Sequence, residues 1–177
     1  MVIRRADDKD YKELLTFYER MCQVLGEKEF LPDGDKGGFP SGEMIKGAIA
    51  RGQQFVGIED ERIVAAYIMD HDCDEAYDLV KWQVNAEKDK VVILHALRVL
   101  PEYGKRGYSR KLVEHAISTA GKWGQKAIRL DCIEGNEIPQ KMYRSFGFQY
   151  RDTVEITYAD IGVPRKFLVY ELVLSIL

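Results

Sequence analysis

The chain has 177 residues, 46% of them hydrophobic and 31% charged, the length and apolar content of one ordinary domain around a single core, so one domain spanning 1–177 is expected. Its 26 Lys and Arg nearly balance 29 Asp and Glu, for a formal net charge of -3, which leaves no cationic surplus to neutralise a phosphate backbone and argues against nucleic acid as the main partner. Cys22, Cys73 and Cys132 are odd in number and form no C-x-x-C pair, which disfavours a disulfide framework or a zinc knuckle and fits a reducing compartment.

The opening MVIRRADDKDY turns charged too early for a secretory leader, and no apolar run approaches the roughly 18 residues of a membrane span, so a soluble, cytoplasmic chain with no membrane partner is expected. A short strand in VIRRA is followed by apolar residues Tyr11, Leu14, Leu15, Tyr18, Cys22 and Leu25. That spacing predicts an amphipathic helix, which Asp7 or Asp8 is placed to cap. From Gly26 to Gly42 the chain is dense in Gly, Pro and Asp and reads as a loop, after which Ser41 caps a short helix running to about Arg51. QQFVGIEDERIVAAYIMD gives two strands joined by a hairpin turn. The polar segment from His71 to Lys90 has no assignable period.

VVILHALRVL is apolar enough for a strand buried on both faces. Tyr108, Leu112, Val113, Ala116, Ile117 and Ala120 then form a second helical stripe, ended by Gly121 and Gly124. KAIRLDCI is a strand, NEIPQKMYRSF a short helix with Pro139 in its first turn, and GFQYRDTVEITY and KFLVYELVL are closing strands. Hairpins early, a strand-helix-strand unit in the middle and strands late predict an α/β or α+β sheet rather than a doubly wound one. There is no internal repeat.

The stretch LPEYGKRGYSRKLVEHA places a basic, glycine-containing turn between a buried strand and a helix start. The first turn of a helix has N–H groups without intrahelical partners, and its dipole is positive there, so such a turn can hold phosphate. G-x-x-x-x-G-K-[ST] and G-x-G-x-x-G are both absent, which disfavours a nucleotide triphosphatase or a dinucleotide-binding domain.

LHALRVLPEYGKRGYSRKLV resembles the acetyl-CoA-binding segment of the GNAT family of N-acetyltransferases. The matching residues are Leu97, Arg98, Val99, Pro101 and GKRGYS from Gly104 to Ser109, with Gly107 as the central glycine. Gly104 stands where the family usually has Gln or Arg, and Ser109 where it has Gly or Ala. Downstream, IRLDCIEGNEIPQKMYRSFGF resembles the family's later motif through Asn136, Tyr143, Gly147 and Phe148. VIRRADDKDYKELL and FVGIEDERIVAAYIMD resemble its first strand and helix and its central hairpin.

The resemblance implies a mostly antiparallel central sheet flanked by helices and splayed between the fourth and fifth strands. Acetyl-CoA is then the cosubstrate, its pyrophosphate on the amides of Lys105, Arg106, Gly107, Tyr108, Ser109 and Arg110. Its pantetheine arm lies along Leu97, Arg98 and Val99, and Asn136 lies beside it. Tyr143 is the counterpart of the general acid that protonates the leaving thiolate, a role that suits a phenol protonated at neutral pH. Aromatic residues at its spacing are otherwise core.

His95 either satisfies a hydrogen bond in its apolar strand or acts as general base for an ammonium acceptor, directly or through water. LHAL matches the HAL of the arylalkylamine acetyltransferase branch, where a histidine here is linked to deprotonating the amine. The acidic run from Asp70 to Asp78 has metal-ligand residue types but no element to fix them, so it reads as a solvated loop without metal, able to attract a cationic amine. Phe39, Tyr67, Tyr77 and Trp82 are candidates for the acceptor side, and no cysteine has a base near it in sequence. The expected partner is a small-molecule or peptide amine, with a homodimer left open. The alternatives are a non-catalytic acyl-CoA-binding sensor or an interaction module.

Overall fold

The computed structural model describes residues 1–31 and 38–174, so part of the loop expected between Gly26 and Gly42 lies outside the described residues. The strands are β1 (Val2–Arg5), β2 (Gln54–Glu59), β3 (Arg62–Asp70), β4 (Val91–Val99), β5 (Ala127–Ile133), β6 (Gln149–Ile156) and β7 (Arg165–Val173), and the helices are α1 (Tyr11–Gly26), α2 (Gly42–Ala50), α3 (Tyr108–Lys122) and α4 (Glu137–Ser145). The strands form one sheet in the order β1-β2-β3-β4-β5-β7-β6. Every neighbouring pair is antiparallel except β4 and β5, which the α3 crossover makes parallel.

Local chemistry fixes most of these elements. Asp7 and Asp10 form a reciprocal capping box before α1, and Ser41 accepts from the Met44 amide at 3.2 Å to start α2. Asp60 and Glu61 both adopt positive φ, 48° and 61°, the backbone of a two-residue hairpin turn whose twist matches the β2 and β3 strands it joins. The buried face of α1 is Leu14, Phe17, Tyr18, Met21 and Cys22. It is rotated slightly from the expected stripe, and Tyr11, Leu15 and Leu25 lie at its margins.

Alternating residues of the sheet feed opposite cores. Phe55, Tyr67, Val92 and Leu94 pack with Leu112, Val113 and Ala116 of α3, while Val56, Ala66 and Ala96 pack with Leu14, Phe17 and Ile45 of α1 and α2. Gly121 lies inside α3, and the turn out of that helix is made by Gly124 at φ 67°.

The segment from His71 to Lys90 folds as two 3-10 turns, Glu75–Leu79 and Lys88–Lys90. Asp74 caps the first by accepting from the Ala76 amide at 2.9 Å. Between the turns the chain is pinned across the sheet. The Gln83 amide donates to Glu171 at 2.7 Å, Arg129 donates to the Val84 carbonyl at 2.7 Å, and the Arg129 guanidinium stacks 4.2 Å from the centre of the Trp82 ring.

Candidate active site

Pairing between β4 and β5 covers only Val91 with Ala127, Val92 with Ile128 and Ile93 with Arg129. Beyond that the strands part, and the edge of β4 from Leu94 to Val99 has no strand partner on the β5 side among the described residues. A cavity of about 340 Å³ fills the gap, with His95, Leu97, Arg98, Ser109, Asp131, Asn136 and Tyr143 in its wall. On its other edge β4 has one residue more than β3 between the pairs Ala66 with Arg98 and Ile68 with His95. This bulge takes Ala96 to φ 48°, and the buried Tyr18 hydroxyl donates to the Ala96 carbonyl at 3.2 Å. A bulge re-aims the side chains around it, here at the mouth of the gap.

His95 Nε2 lies 2.9 Å from Asp70 Oδ1 and 2.9 Å from the Asp72 carbonyl. Both partners can only accept, so Nε2 carries the hydrogen and Nδ1 is left to take up a proton. Burial pulls the His95 imidazole down, but the hydrogen bond and charge of Asp70, with the charge of Asp131, outweigh it and leave its pKa raised. A carboxylate that fixes tautomer and steadies the imidazolium is the arrangement of a general base with its orienting partner.

Tyr143 is buried, edge-on to Phe148 with ring centres 5.4 Å apart. Its hydroxyl makes no hydrogen bond among the described residues. Burial, reinforced by Cys132, pushes the phenol well above its ordinary pKa, so it keeps its proton and can donate it. The neighbouring Cys132 thiol is pushed by burial to about 12, which makes it a poor nucleophile.

The turn before α3 has two left-handed residues, Lys105 at φ 60° and Gly107 at φ 76°. Gly107 is the N-cap and supplies no side-chain cap, so the first amides of α3 are available to an anion. A Cβ built on Gly107 meets no heavy atom within 4 Å, which leaves room for a ligand against the backbone. Arg106 does not reach toward the cavity: it pairs with Glu59 at 3.2 Å, and the Tyr108 hydroxyl also donates to Glu59. Arg110 donates to Ser145 at 2.8 Å and stacks over Phe146. Of the turn residues from Lys105 to Arg110, only Ser109 lines the cavity, and Val99 also stays out of its wall.

A model of the Acetyltransferase (GNAT) family matches residues 17–148. The chain belongs to the GNAT family. A GNAT acetyltransferase from Streptococcus agalactiae is similar in fold, with TM-score 0.74 at 21% identity over 98% of this chain and 95% of that one. So is yncA from Salmonella typhimurium, solved with its cofactor acetyl-CoA (TM-score 0.69, 17% identity, 99% and 94% coverage). The ribosomal-protein-S18-alanine N-acetyltransferase of Escherichia coli gives TM-score 0.64 at 18% identity over 98% and 94% of the two chains. A search of curated proteins finds no match. GNAT acetyltransferases use acetyl-CoA; this chain has an unpaired stretch of β4 along the gap and open backbone at Gly107.

Within this GNAT chain the acidic run is solvated at Asp72, Glu75 and Asp78, as expected, but not at its first residue. Asp70 is only 5% exposed and is bound to His95; its role depends on β3 and β4 pairing, and local sequence gave no sign of it. Among the described residues no group of three or more His, Cys, Asp or Glu is placed to hold a metal ion, and no helix is long and apolar enough to cross a membrane. Of the aromatic candidates, Phe39 lines the cavity. Tyr67 is in the core, stacked on Phe55 and bonded to His115 at 2.8 Å. Tyr77 donates to Asp131 at 2.7 Å, and Trp82 covers Arg129. Sequence reading also missed Asp131 and Tyr158, which meet in the cavity wall at 2.7 Å from separate strands and loops.

Proposed function

We propose that this GNAT domain transfers an acetyl group from acetyl-CoA to a primary amine by direct attack in a ternary complex. Bound acetyl-CoA supplies the acyl group already activated as a thioester. The amides at the start of α3, from Lys105 to Arg110, hold its pyrophosphate, and the free edge of β4 at Leu97, Arg98 and Val99 receives the pantetheine arm as an added strand. Asn136 lies at the far wall, at the N-terminus of α4. A backbone N–H near Val99 polarises the acyl carbonyl.

His95 removes a proton from the incoming ammonium at Nδ1, directly or through water, while Asp70 holds Nε2–H and stabilises the imidazolium. Tyr143 gives its phenolic proton to the departing thiolate. The observation that carries this reading is that His95, held by Asp70, and Tyr143, whose hydroxyl is unbonded among the described residues, line one cavity at the place where β4 and β5 separate.

The test is release of free thiol when acetyl-CoA is mixed with primary amines, small molecules before peptides. Thiol release above the amine-free rate, with acetylated amine found by mass spectrometry, supports transfer. Acetyl-CoA binding without acetylation of any amine would reject it in favour of an acyl-CoA-binding sensor.

A further inference from the structure

One carboxylate in the cavity wall bonds to neither group of the proton transfers and acts on His95 only through its charge. Asp131 lies on β5, two residues past the last pairing with β4. Its Oδ2 accepts from the hydroxyls of both Tyr77 and Tyr158, each at 2.7 Å. Its Oδ1 has no hydrogen-bond partner among the described residues and is not sealed from the cavity. Among the described residues no cationic side chain bonds to it: His95 is committed to Asp70, Arg129 to Glu171 and the Val84 carbonyl, and Arg98 in the same wall donates to the Leu97 carbonyl.

Two phenols orient a carboxylate without neutralising it. Both keep their protons, because burial and the Asp131 charge push them up. Burial likewise pushes Asp131 up, against the pull of its two donors and of His95. A carboxylate enclosed by protein, with one oxygen saturated and the other open, has no bonded counter-charge among the described residues, and a ligand can bring one.

We propose that Asp131 selects the acceptor, binding at Oδ1 a second cationic nitrogen of a diamine-type substrate whose other nitrogen is acetylated. This rests on the amine transfer proposed above. The second nitrogen is the one assigned to Asp131 because a carboxylate beside the reacting nitrogen would hold it as ammonium, raising its pKa by about 1–3 units and opposing its deprotonation. A nitrogen that keeps its proton suits the site and fixes the orientation of the other.

The approach is of the same sign. A second cavity of about 200 Å³ shares Phe39, His95 and Tyr158 with the first and has Asp70, Asp72 and Asp74 in its wall against the one guanidinium of Arg51, so carboxylates predominate there. A cleft in which carboxylates predominate raises the local concentration of cations. They supply attraction, and Asp131 supplies the position.

The experiment compares diamines of increasing length with the monoamines in which a methyl group replaces the second nitrogen, such as 1,4-diaminobutane against 1-aminopentane. In the wild-type protein kcat/KM at the best length favours the diamine by about tenfold to a hundredfold, the worth of a charge-assisted hydrogen bond, beyond the statistical advantage of two equivalent nitrogens. Asp131→Asn, which keeps an acceptor for the two phenols, reduces the ratio to that statistical level, chiefly through KM. Tyr158→Phe, which keeps the charge, retains the preference.

A ratio that survives Asp131→Asn, or wild-type transfer to both amines without preference, overturns the assignment. Should Asp131→Asn fail to fold by thermal unfolding, Asp131→Glu decides: a preferred diamine one methylene shorter supports the contact, and an unchanged optimum refutes it. Acetyl-CoA binding by calorimetry with no transfer to either series rejects amine transfer itself, and the selection falls with it.

Discussion

Replacing Gly107 separates the cost of the backbone from the cost to the ligand. Gly107 caps α3 at φ 76° and ψ 11°, and an added Cβ would meet no protein atom within 4 Å. In the free protein, Gly107→Ala therefore loses only what an L residue loses in the left-handed region, about 1–2 kcal/mol. For a chain of this size that lowers Tm by about 2–8 °C. Gly107→Asp should be at least as stable as the alanine variant, because Asp tolerates this conformation better and its charge meets the positive end of the helix dipole. Binding should run in the opposite order. If the α3 amides hold pyrophosphate, the alanine Cβ weakens acetyl-CoA binding by roughly tenfold. A carboxylate about 4 Å from a phosphate charge costs about 4 kcal/mol at an effective dielectric of 20, close to a thousandfold. Thermal unfolding and calorimetry on the three proteins read both orders. A folded Gly107→Asp protein that binds acetyl-CoA like the wild type would refute the assignment of the turn.

Three further substitutions test other parts of the site and its support. Tyr143→Phe should lower kcat by about tenfold to a thousandfold with little change in acetyl-CoA affinity, and unchanged turnover would remove Tyr143 from the chemistry. Asp70→Asn takes away the strongest contact that raises His95 and leaves burial opposed only by the Asp131 charge and the Asp72 carbonyl, so the acid limb of the kcat/KM profile should move to lower pH while the plateau falls; a limb that stays in place would make His95 structural. The same variant should lose more stability at pH 6 than at pH 9, measured by denaturant unfolding. A histidine raised on folding contributes fully below its unfolded pKa, and that contribution is lost as pH rises through the folded value. Arg129→Met leaves Glu171, only 2% exposed, without its 2.9 Å guanidinium partner. That should cost about 3–5 kcal/mol of unfolding free energy, and a loss under 1 kcal/mol would show that the Gln83 and Val84 amides suffice.

Where the chain's own neighbours decide the conformation, the sequence is informative. The caps at Asp7 and Ser41, the hairpin turn at Asp60 and Glu61, the stripe of α3 and Gly107 at its start all rest on contacts within a few residues. The gap between β4 and β5 was expected from the resemblance that LHALRVLPEYGKRGYS carries, and His95, Ser109, Asn136 and Tyr143 do line it. Helix turns and caps are short-range physics, and their residue types announce them.

What tertiary structure alone decided lies across long separations. Asp70 reads as one more acidic residue until antiparallel pairing of β3 with β4 sets it 2.9 Å from His95. Asp131 sits in an ordinary strand sequence, and only folding brings it Tyr77 from 54 residues upstream and Tyr158 from 27 downstream. The segment from His71 to Lys90 has no period because its shape is imposed by Glu171 and Arg129, on strands far away in sequence. Arg106 and Arg110, basic residues in a basic turn, are claimed by Glu59 and Ser145 on other elements. Side-chain charge is written in the sequence; which opposite charge reaches it is settled only when the sheet assembles and burial makes an unpaired charge costly.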